Sequence, residues 1–217
     1  LSQRVKNVNE TIISLGRDRF EISWAEVKKT LDEAVFERKF QYSCHIKLLK
    51  NQRADLFSYR RGTGKILNPN QVLITKEDEE SIIIDTDNII IATGSRPRKL
   101  PDIEVDEKTI LTSDGIDFIQ DYPKSMVIVG AGVIGCEYAT IFSNFGKTKV
   151  YLIDRADHIL PFEDDDISQM ISENLEKRGV VIHHNAQLVR MEIVDGEVEY
   201  EIDCDGEREI VRVEKAL

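Results

Sequence analysis

The sequence has few cysteines and no long apolar stretch. Its three cysteines, Cys44, Cys136 and Cys204, are far apart among 217 residues. No CxxC pair for a metal or redox centre is therefore present locally. A small, odd number of cysteines is typical of proteins in a reducing cytoplasm. No run of about 18 apolar residues occurs, so the sequence predicts no membrane helix. The opening residues, LSQRVKNVNE, lack the apolar core of a signal peptide.

Positive charge is also scarce. The formal net charge is −11, whereas proteins that bind nucleic acid or anionic membranes carry a basic surface. We therefore expect neither partner. No group of His, Cys and Asp has the spacing of metal ligands, and the adjacent His183 and His184 are interpreted as inward and outward residues of one strand. No metal site is predicted.

The first part of the chain predicts one long helix followed by short strands. Residues from about Ser23 to Asn51 carry apolar side chains at helical spacing among charged ones, including Val27, Leu31 and Val35. The β-branched runs SIIID (81–85) and NIIIATG (88–94) predict strands. Residues 96–123 contain prolines and show no helical period, so they are interpreted as a connection between a domain at 1–95 and one at 124–217.

The last part of the chain alternates between strand and helix patterns. We predict a strand at 126–129, a helix at 133–145, a strand at 149–153, a helix ending at Gly179 and a strand at VVIHH. Three alternating segments joined by Asp-Gly turns then predict an antiparallel meander. The fold class expected is α/β, with a Rossmann-like FAD/NAD(P)-binding fold, a parallel sheet, the meander and two incomplete domains.

The segment MVIVGAGVIGCEYATIF contains a GxGxxG pattern in its full context. Gly130, Gly132 and Gly135 follow a strand and open a helix, and Asp154 ends the next strand about 20 residues later. Gly130 permits the tight turn, Gly132 leaves room for a pyrophosphate, and Gly135 permits close packing of helix on strand. The free amides of the first helical turn would hold the phosphates. The alternative is a glycine turn in a fold that binds no nucleotide.

Asp154 also bears on the choice between NAD and NADP. A carboxylate there would accept hydrogen bonds from the adenosine ribose and repel a 2′-phosphate, which favours NAD. Arg155 acts in the opposite direction, because a guanidinium can pair with that phosphate.

Two segments together resemble a known family. IIIATGSRPRKLP (89–101) followed by VIVGAGVIGCEYATIF (127–142) is similar to the flavoproteins of the pyridine nucleotide–disulfide oxidoreductase family, over essentially the whole chain. Within it, GAGVIGCEYA and LPFEDDDIS most resemble the soluble pyridine nucleotide transhydrogenases, and the dihydrolipoamide dehydrogenases come next. Asp154 departs from the transhydrogenase pattern, because such an enzyme must accept both NAD(H) and NADP(H).

The resemblance implies roles for individual residues. Thr93, Gly94 and Ser95 would pass close to the flavin, and the turn GTGK would place Gly64 near the adenine end of FAD. Glu137 would position the nicotinamide, the alternative being a solvent-facing helix acid, and Leu188 would border the adenine, the alternative being a core leucine. The remaining residues implied for NAD(H) lie in the glycine motif: Gly130, Ala131, Gly132, Val133, Ile134 and Gly135.

The resemblance also implies a whole-protein function. An FAD-dependent oxidoreductase would pass hydride from NAD(P)H through the flavin, as a transhydrogenase or as a disulfide reductase of the dihydrolipoamide dehydrogenase type. FAD and NAD(H) are the implied cofactors, with NADP(H) as a further candidate, and the intact protein would be a cytoplasmic homodimer. The family's first GxGxxG, its CxxxxC segment and its catalytic His-Glu pair have no match here. We therefore expect an internal piece, inactive alone and without catalytic residues of its own; a non-catalytic NAD-binding module is the other reading.

Overall fold

The structure is a computed structural model that describes residues 1–15, 20–76, 79–98 and 100–217, and for residues 79 and 80 the backbone only. No helix in these ranges is long and apolar enough to cross a membrane. The helices and strands, in chain order, are α1 (Ser2–Ser14), α2 (Trp24–Gln52), β1 (Thr63–Asn68), β2 (Gln71–Lys76), β3 (Glu79–Asp85), a 3-10 turn (Gly115–Phe118), β4 (Ser125–Val129), α3 (Val133–Phe145), β5 (Lys149–Ile153), α4 (Asp165–Lys177), β6 (Val181–His183), β7 (Ala186–Val194), β8 (Glu197–Cys204), β9 (Glu207–Val213) and β10 (Lys215–Ala216).

The chain forms two compact units. The first combines Leu1–Thr30 with Pro97–Leu217, and the second is Leu31–Arg96. The division into functional domains at 1–95, 96–123 and 124–217 stays a prediction. Residues 97–123 of the predicted connection, apart from Lys99, which lies outside the described residues, belong to the first unit, where Ile110 and Leu111 are buried. Arg96 belongs to the second unit.

The first unit is built on a parallel sheet with strand order β10-β4-β5-β6. Side chains alternate across it. Met126 and Ile128 of β4 join one core cluster, with Phe142 of α3 and Leu175 of α4. Val127 joins a second cluster on the other face, with residues of the meander. Because both faces of the sheet are covered, β4 and β5 continue after their first residues as unbroken runs of apolar and aromatic residues rather than alternating with polar ones.

The antiparallel meander β7-β8-β9 covers the second face of the sheet. Tyr200 and Ile202 of β8 are completely buried there. The two Asp-Gly turns predicted from the sequence join its strands, with positive φ at both residues of each turn: 54° and 83° at Asp195-Gly196, 54° and 89° at Asp205-Gly206. Two successive positive φ angles are the geometry of type I′ hairpin turns, which favour Asp and Gly.

Helix α1, which the sequence did not predict, packs against α3. The start of α2 is fixed nearby by Trp24, whose ring nitrogen donates a hydrogen bond of 2.7 Å to the carbonyl of Ile119. The Trp24 ring stacks on Phe142, with centroids 6.0 Å apart, and meets Tyr122 edge-on at 5.1 Å.

The second unit contains the rest of α2 and the antiparallel sheet β1-β2-β3. The predicted helix at 23–51 is confirmed, but no side chain of α2 is buried. The strand predicted at Asn88–Gly94 is wrong, since this segment has no regular secondary structure. A strand needs a neighbour to pair its backbone amides and carbonyls, and no described strand lies beside it. Ile90 and Ile91 are consequently exposed, at 89% and 70%.

Candidate functional site

The glycine loop connects β4 to α3 at the carboxyl edge of the parallel sheet. Gly130 has a φ of 100°, in the region that favours glycine. Its amide donates a hydrogen bond of 2.8 Å to the carbonyl of Ile153, which ties the loop to β5. The tight turn predicted at Gly130 is therefore present.

Gly132 and Gly135 meet two different steric demands. A Cβ added to Gly135 would lie 2.0 Å from the carbonyl oxygen of Gly130 and 3.3 Å from Cγ2 of Ile128, so the helix approaches the strand too closely for any side chain. A Cβ added to Gly132 would meet nothing within 4 Å. Space is therefore left open beside the backbone where the fingerprint places a pyrophosphate.

Helix α3 begins with unsatisfied backbone donors. Gly132 is its N-cap residue and no side chain caps the helix. The first bond inside the helix runs from the amide of Cys136 to the carbonyl of Gly132, so the amides of Val133 and Ile134 lie ahead of it. Both residues are 57% exposed. Free amides and the positive end of the helix dipole make this position suited to an anion.

Asp154 follows β5 and lies against the glycine loop. One carboxylate oxygen accepts a hydrogen bond of 2.5 Å from the amide of Ala131, and the other accepts one of 2.8 Å from the amide of Ala156. The carboxylate therefore holds the loop as well as standing at the position expected for a ribose ligand. The sequence predicted only the second role, because the spacing of the motif carries no information about these amides.

Two cavities meet at Gly130. One, of about 390 Å³, is bordered by Asp154, Leu188 and Arg155, so the structure brings together the three residues that the sequence associated with the adenosine end. The other, of about 510 Å³, is lined by Gly132–Gly135 and by apolar side chains that include Ile128 and Leu217. Both cavities also border Val129.

Sequence reasoning missed several residues that border these cavities. Arg98, Leu100 and Ile103 border both, and Met191 borders the larger one. The stretch that contains the first three was interpreted only as a connection, since it has prolines and no periodicity. Its apolar residues, among them Leu100 and Ile103, were the local sign that it packs against the fold.

Two residues of α3 lie apart from the loop itself. Glu137 is exposed and lines a groove between α3 and α4 that it shares with Val133 and Ile167, and it borders neither cavity at Gly130. Its role at the nicotinamide stays a prediction. Cys136 is buried, and burial followed by the charge of Asp154 raises the pKa of its thiol to about 11. It is therefore protonated at neutral pH and unsuited to thiolate chemistry.

The residues predicted near FAD lie in the second unit. Gly64 is part of β1, opposite Ile74 of β2, rather than in the turn expected for GTGK, because the bend falls at Gly62. Thr93, Gly94 and Ser95 lie in an exposed irregular segment, where Gly94 has a φ of 73°. Their proximity to a flavin stays a prediction.

All three cysteines are free. Over the ranges that the structure describes, no group of three or more His, Cys, Asp or Glu side chains is placed to hold a metal ion.

A parallel sheet with a glycine loop, an acidic residue after the next strand and a cavity on each side of the loop defines an α/β protein with the Rossmann-type fold. The family model described as pyridine nucleotide-disulphide oxidoreductase matches residues 6–214. The chain belongs to this family, which confirms the resemblance and the fold class predicted from the sequence.

Known relatives point to two activities. The chain is 32% identical over 208 residues to a dihydrolipoyl dehydrogenase of Bacillus subtilis, covering 95% of the chain and 43% of the relative. It is 34% identical over 192 residues to a soluble pyridine nucleotide transhydrogenase of Pseudomonas paraeruginosa, covering 88% of the chain and 40% of the relative. The chain thus spans about two fifths of the length of these relatives.

Solved structures agree on the fold. A Cu(II) complex of the HOCl-induced flavoprotein disulfide reductase RclA from Escherichia coli, a mutant form, matches with a TM-score of 0.65 and 25% identity, over 83% of this chain and 41% of that one. LpdA from Mycobacterium tuberculosis matches over the whole chain and 46% of its own length, with a TM-score of 0.79 and 21% identity, which bears on the fold alone.

Proposed function

We propose that the chain binds NAD(H) across the glycine loop. The observation that carries this is the open space at Gly132, beside the uncapped start of α3 and next to Gly130, where two cavities meet. A dinucleotide has two halves joined by a pyrophosphate, and the two cavities that meet at Gly130 match that division. Residues and ligand therefore fit.

Each residue of the loop has its own task in this proposal. The amides of Val133 and Ile134 donate to the pyrophosphate, and Asp154 accepts from the adenosine ribose hydroxyls, while Leu188 borders the adenine. The apolar cavity receives the nicotinamide end. The resemblance to the family adds Glu137, on the next turn of α3, as a residue that would help to orient the ring, although its side chain borders neither cavity at Gly130. Ala131 contributes its amide indirectly, by fixing the carboxylate of Asp154.

For the intact protein we propose an FAD-dependent oxidoreductase, with soluble transhydrogenase as its activity. Family membership and the 34% identical relative support this. FAD would accept and pass on the hydride, while this chain's own residues bind and align the nicotinamide nucleotide. A cytoplasmic location and a homodimer belong to the same proposal.

A dihydrolipoyl dehydrogenase activity is the second candidate. A specific observation favours it: Asp154 borders the cavity that we propose for the adenosine end, where its carboxylate would disfavour the 2′-phosphate of NADP(H) that a transhydrogenase must accept. The 32% identical relative carries that name. Arg98 and Arg155 beside the same cavity act in the other direction.

Replacing Gly132 by Ala tests the binding proposal. The φ of Gly132 is −74° and no atom would contact the new Cβ, so the fold should tolerate it, whereas the methyl group would stand where the pyrophosphate approaches. We expect the affinity for NADH, measured by titration calorimetry, to fall at least about tenfold, or 1.4 kcal/mol.

Gly64→Ala is the matched control, since a Cβ there would have only an ordinary contact of 3.9 Å with Val72. It should leave NADH binding unchanged. An unaltered affinity in Gly132→Ala, or no NADH binding by the unmodified chain, would contradict the proposal.

A further inference from the structure

A second cavity with ligand-binding character lies at the opposite edge of the parallel sheet. It has a volume of about 630 Å³ and lies beside α1, the loop between α3 and β5, and the loop between α4 and β6. Volumes of about 300–1,000 Å³ are typical of small-molecule sites. The glycine loop is at the carboxyl ends of the strands, whereas Lys124 and Lys149 mark this edge at their amino ends, so the two sites are distinct.

The cavity is strongly basic in a chain whose net charge is −11. Six cationic side chains line it, against a single carboxylate, Glu10, among the described residues. The cations are Lys6, Lys124, Lys147, Lys149, Lys177 and Arg178. Such a concentration of one sign in a concave surface attracts anions.

Ion pairs and helix ends neutralise part of this charge. Lys6 lies 3.4 Å from Glu10, Lys147 lies 3.0 Å from Glu21, and Lys177 lies 3.4 Å from Glu173. Helices α3 and α4 also end here, and each carboxyl end carries about half a negative charge. Three carboxylates and two helix ends against six cations leave a positive excess of about two charges. The ion pairs and the helix ends therefore balance only part of the positive charge of the six side chains.

Buried polar atoms in the wall of the cavity lack partners. Asn144 and Thr148 are 6% and 8% exposed, yet Oδ1 of Asn144 and Oγ1 of Thr148 have no hydrogen-bond partner. The same is true of Nε of Arg178. Buried polar groups are nearly always hydrogen-bonded in native proteins, to protein atoms or to ordered water, so three such groups among the residues that line one cavity favour a polar occupant, either water or a ligand.

We propose that this cavity is a second binding site, for a phosphate-bearing small molecule. The hydroxyl of Thr148 and Nε of Arg178 donate to the phosphate oxygens, and Lys124 and Lys149 supply the balancing charge, since Lys147 is already paired with Glu21. Oδ1 of Asn144 accepts from a hydroxyl of the ligand. Inorganic phosphate and the phosphate group of an organic ester share this chemistry.

Calorimetric titration of the chain tests the site, with inorganic phosphate and phenyl phosphate as probes at constant ionic strength. We expect saturable binding of one phosphate that weakens at least about tenfold in both Lys124→Ala and Thr148→Val. Lys108→Ala is the matched control, because it removes an exposed lysine that does not line the cavity, and binding should be unchanged. If phenyl phosphate binds more tightly than inorganic phosphate, the site is one for phosphate esters. If the two probes bind equally, the site is one for free phosphate.

The same titration with NADH present separates the two sites. Unchanged phosphate affinity is expected; loss of phosphate binding in the presence of NADH would place the anion at the glycine loop and overturn the proposal. Absence of saturable binding, or equal binding in all variants, would do the same. Without phosphate, Thr148→Val should melt at a higher temperature than the unmodified chain, because an unpaired buried hydroxyl is removed. That result would show that the variant loses phosphate binding without losing its fold.

Discussion

At the scale of single residues, two glycines of one loop are required for opposite reasons. Gly135 has no room for a side chain, whereas Gly132 leaves open space where we propose that the pyrophosphate binds. The sequence predicted both roles, because the spacing of the motif is linked to its geometry. It did not predict the hydrogen bonds from Ala131 and Ala156 to Asp154, since these depend on how the loop folds over the end of β5.

Gly135→Ala should destabilise the fold whether or not a ligand is present. The new Cβ would lie 2.0 Å from the backbone oxygen of Gly130, and a backbone atom cannot move aside as a flexible side chain can. We expect a loss of about 2–3 kcal/mol in the free energy of unfolding, as for an overpacked core, measured by urea denaturation. Gly132→Ala is the control and should not lower stability. Equal stability of the two variants would show that helix and strand are not in close contact.

Replacement of Asp154 should discriminate between the two nicotinamide nucleotides. Asp154→Ser should weaken NADH binding by about 1–2 kcal/mol, as for the loss of a hydrogen bond to a charged group, and weaken NADPH binding less because a repulsive charge is also removed. Asp154→Asn keeps the shape of the side chain and one acceptor for the loop, so it separates ribose binding from loop support. Equal losses for NADH and NADPH in both variants would argue that Asp154 does not contact the ribose.

At the scale of elements, the sequence predicted best those that are covered on both sides by the chain itself. Helix 133–145 and strand 149–153 were predicted to the residue, because their apolar patterns match the faces they bury. The run at 88–94 is also rich in β-branched residues, but no described strand lies beside it to pair with its backbone. Composition alone therefore predicted a strand there wrongly. Helix α1 was missed, because polar residues interrupt the apolar residues on its buried side. One of these polar residues, Asn9, is itself buried.

The meander carries an ion network that should make stability depend on pH. Glu199 accepts hydrogen bonds of 2.8 Å from Arg190 and from Arg212. Both bonds lower the pKa of the Glu199 carboxyl below the ordinary 4.5, and the bond from Arg190 has the larger effect. A lowered pKa means that the carboxylate stabilises the folded state above about pH 4.5 and that this contribution is lost as the pH falls through the folded pKa.

Glu199→Gln should therefore reduce stability at pH 7 and make less difference as the pH falls below 4.5. Melting temperatures of the two proteins between pH 7 and pH 3 would measure this. The exposed Glu207 has no ion-pair partner among the described residues, so Glu207→Gln provides a control with a smaller effect. A difference between Glu199→Gln and the unmodified chain that stays constant with pH would mean that the network contributes nothing through this charge.

At the scale of the whole molecule, the candidate dinucleotide site is contained in one compact unit. Its walls come from stretches far apart in the chain, with Arg98 and Leu100 on one side and Leu188 and Met191 on another. Pattern reasoning finds residues within a motif, but it cannot find residues that reach a cavity only through packing. This explains why the glycine loop and Asp154 were predicted while most of the cavity wall was not.

Hydrogen exchange with and without NADH tests this arrangement across the chain. Bound NADH should slow exchange at the amides of residues 130–135 and 186–190, because they border the two cavities, and leave the strands at residues 63–85 in the second unit unchanged. Gly132→Ala at the same NADH concentration should lose the protection of the glycine loop. Protection of residues 63–85 without protection of the loop would place the nucleotide in the second unit, and the assignment of the open space at Gly132 to a pyrophosphate would then be wrong.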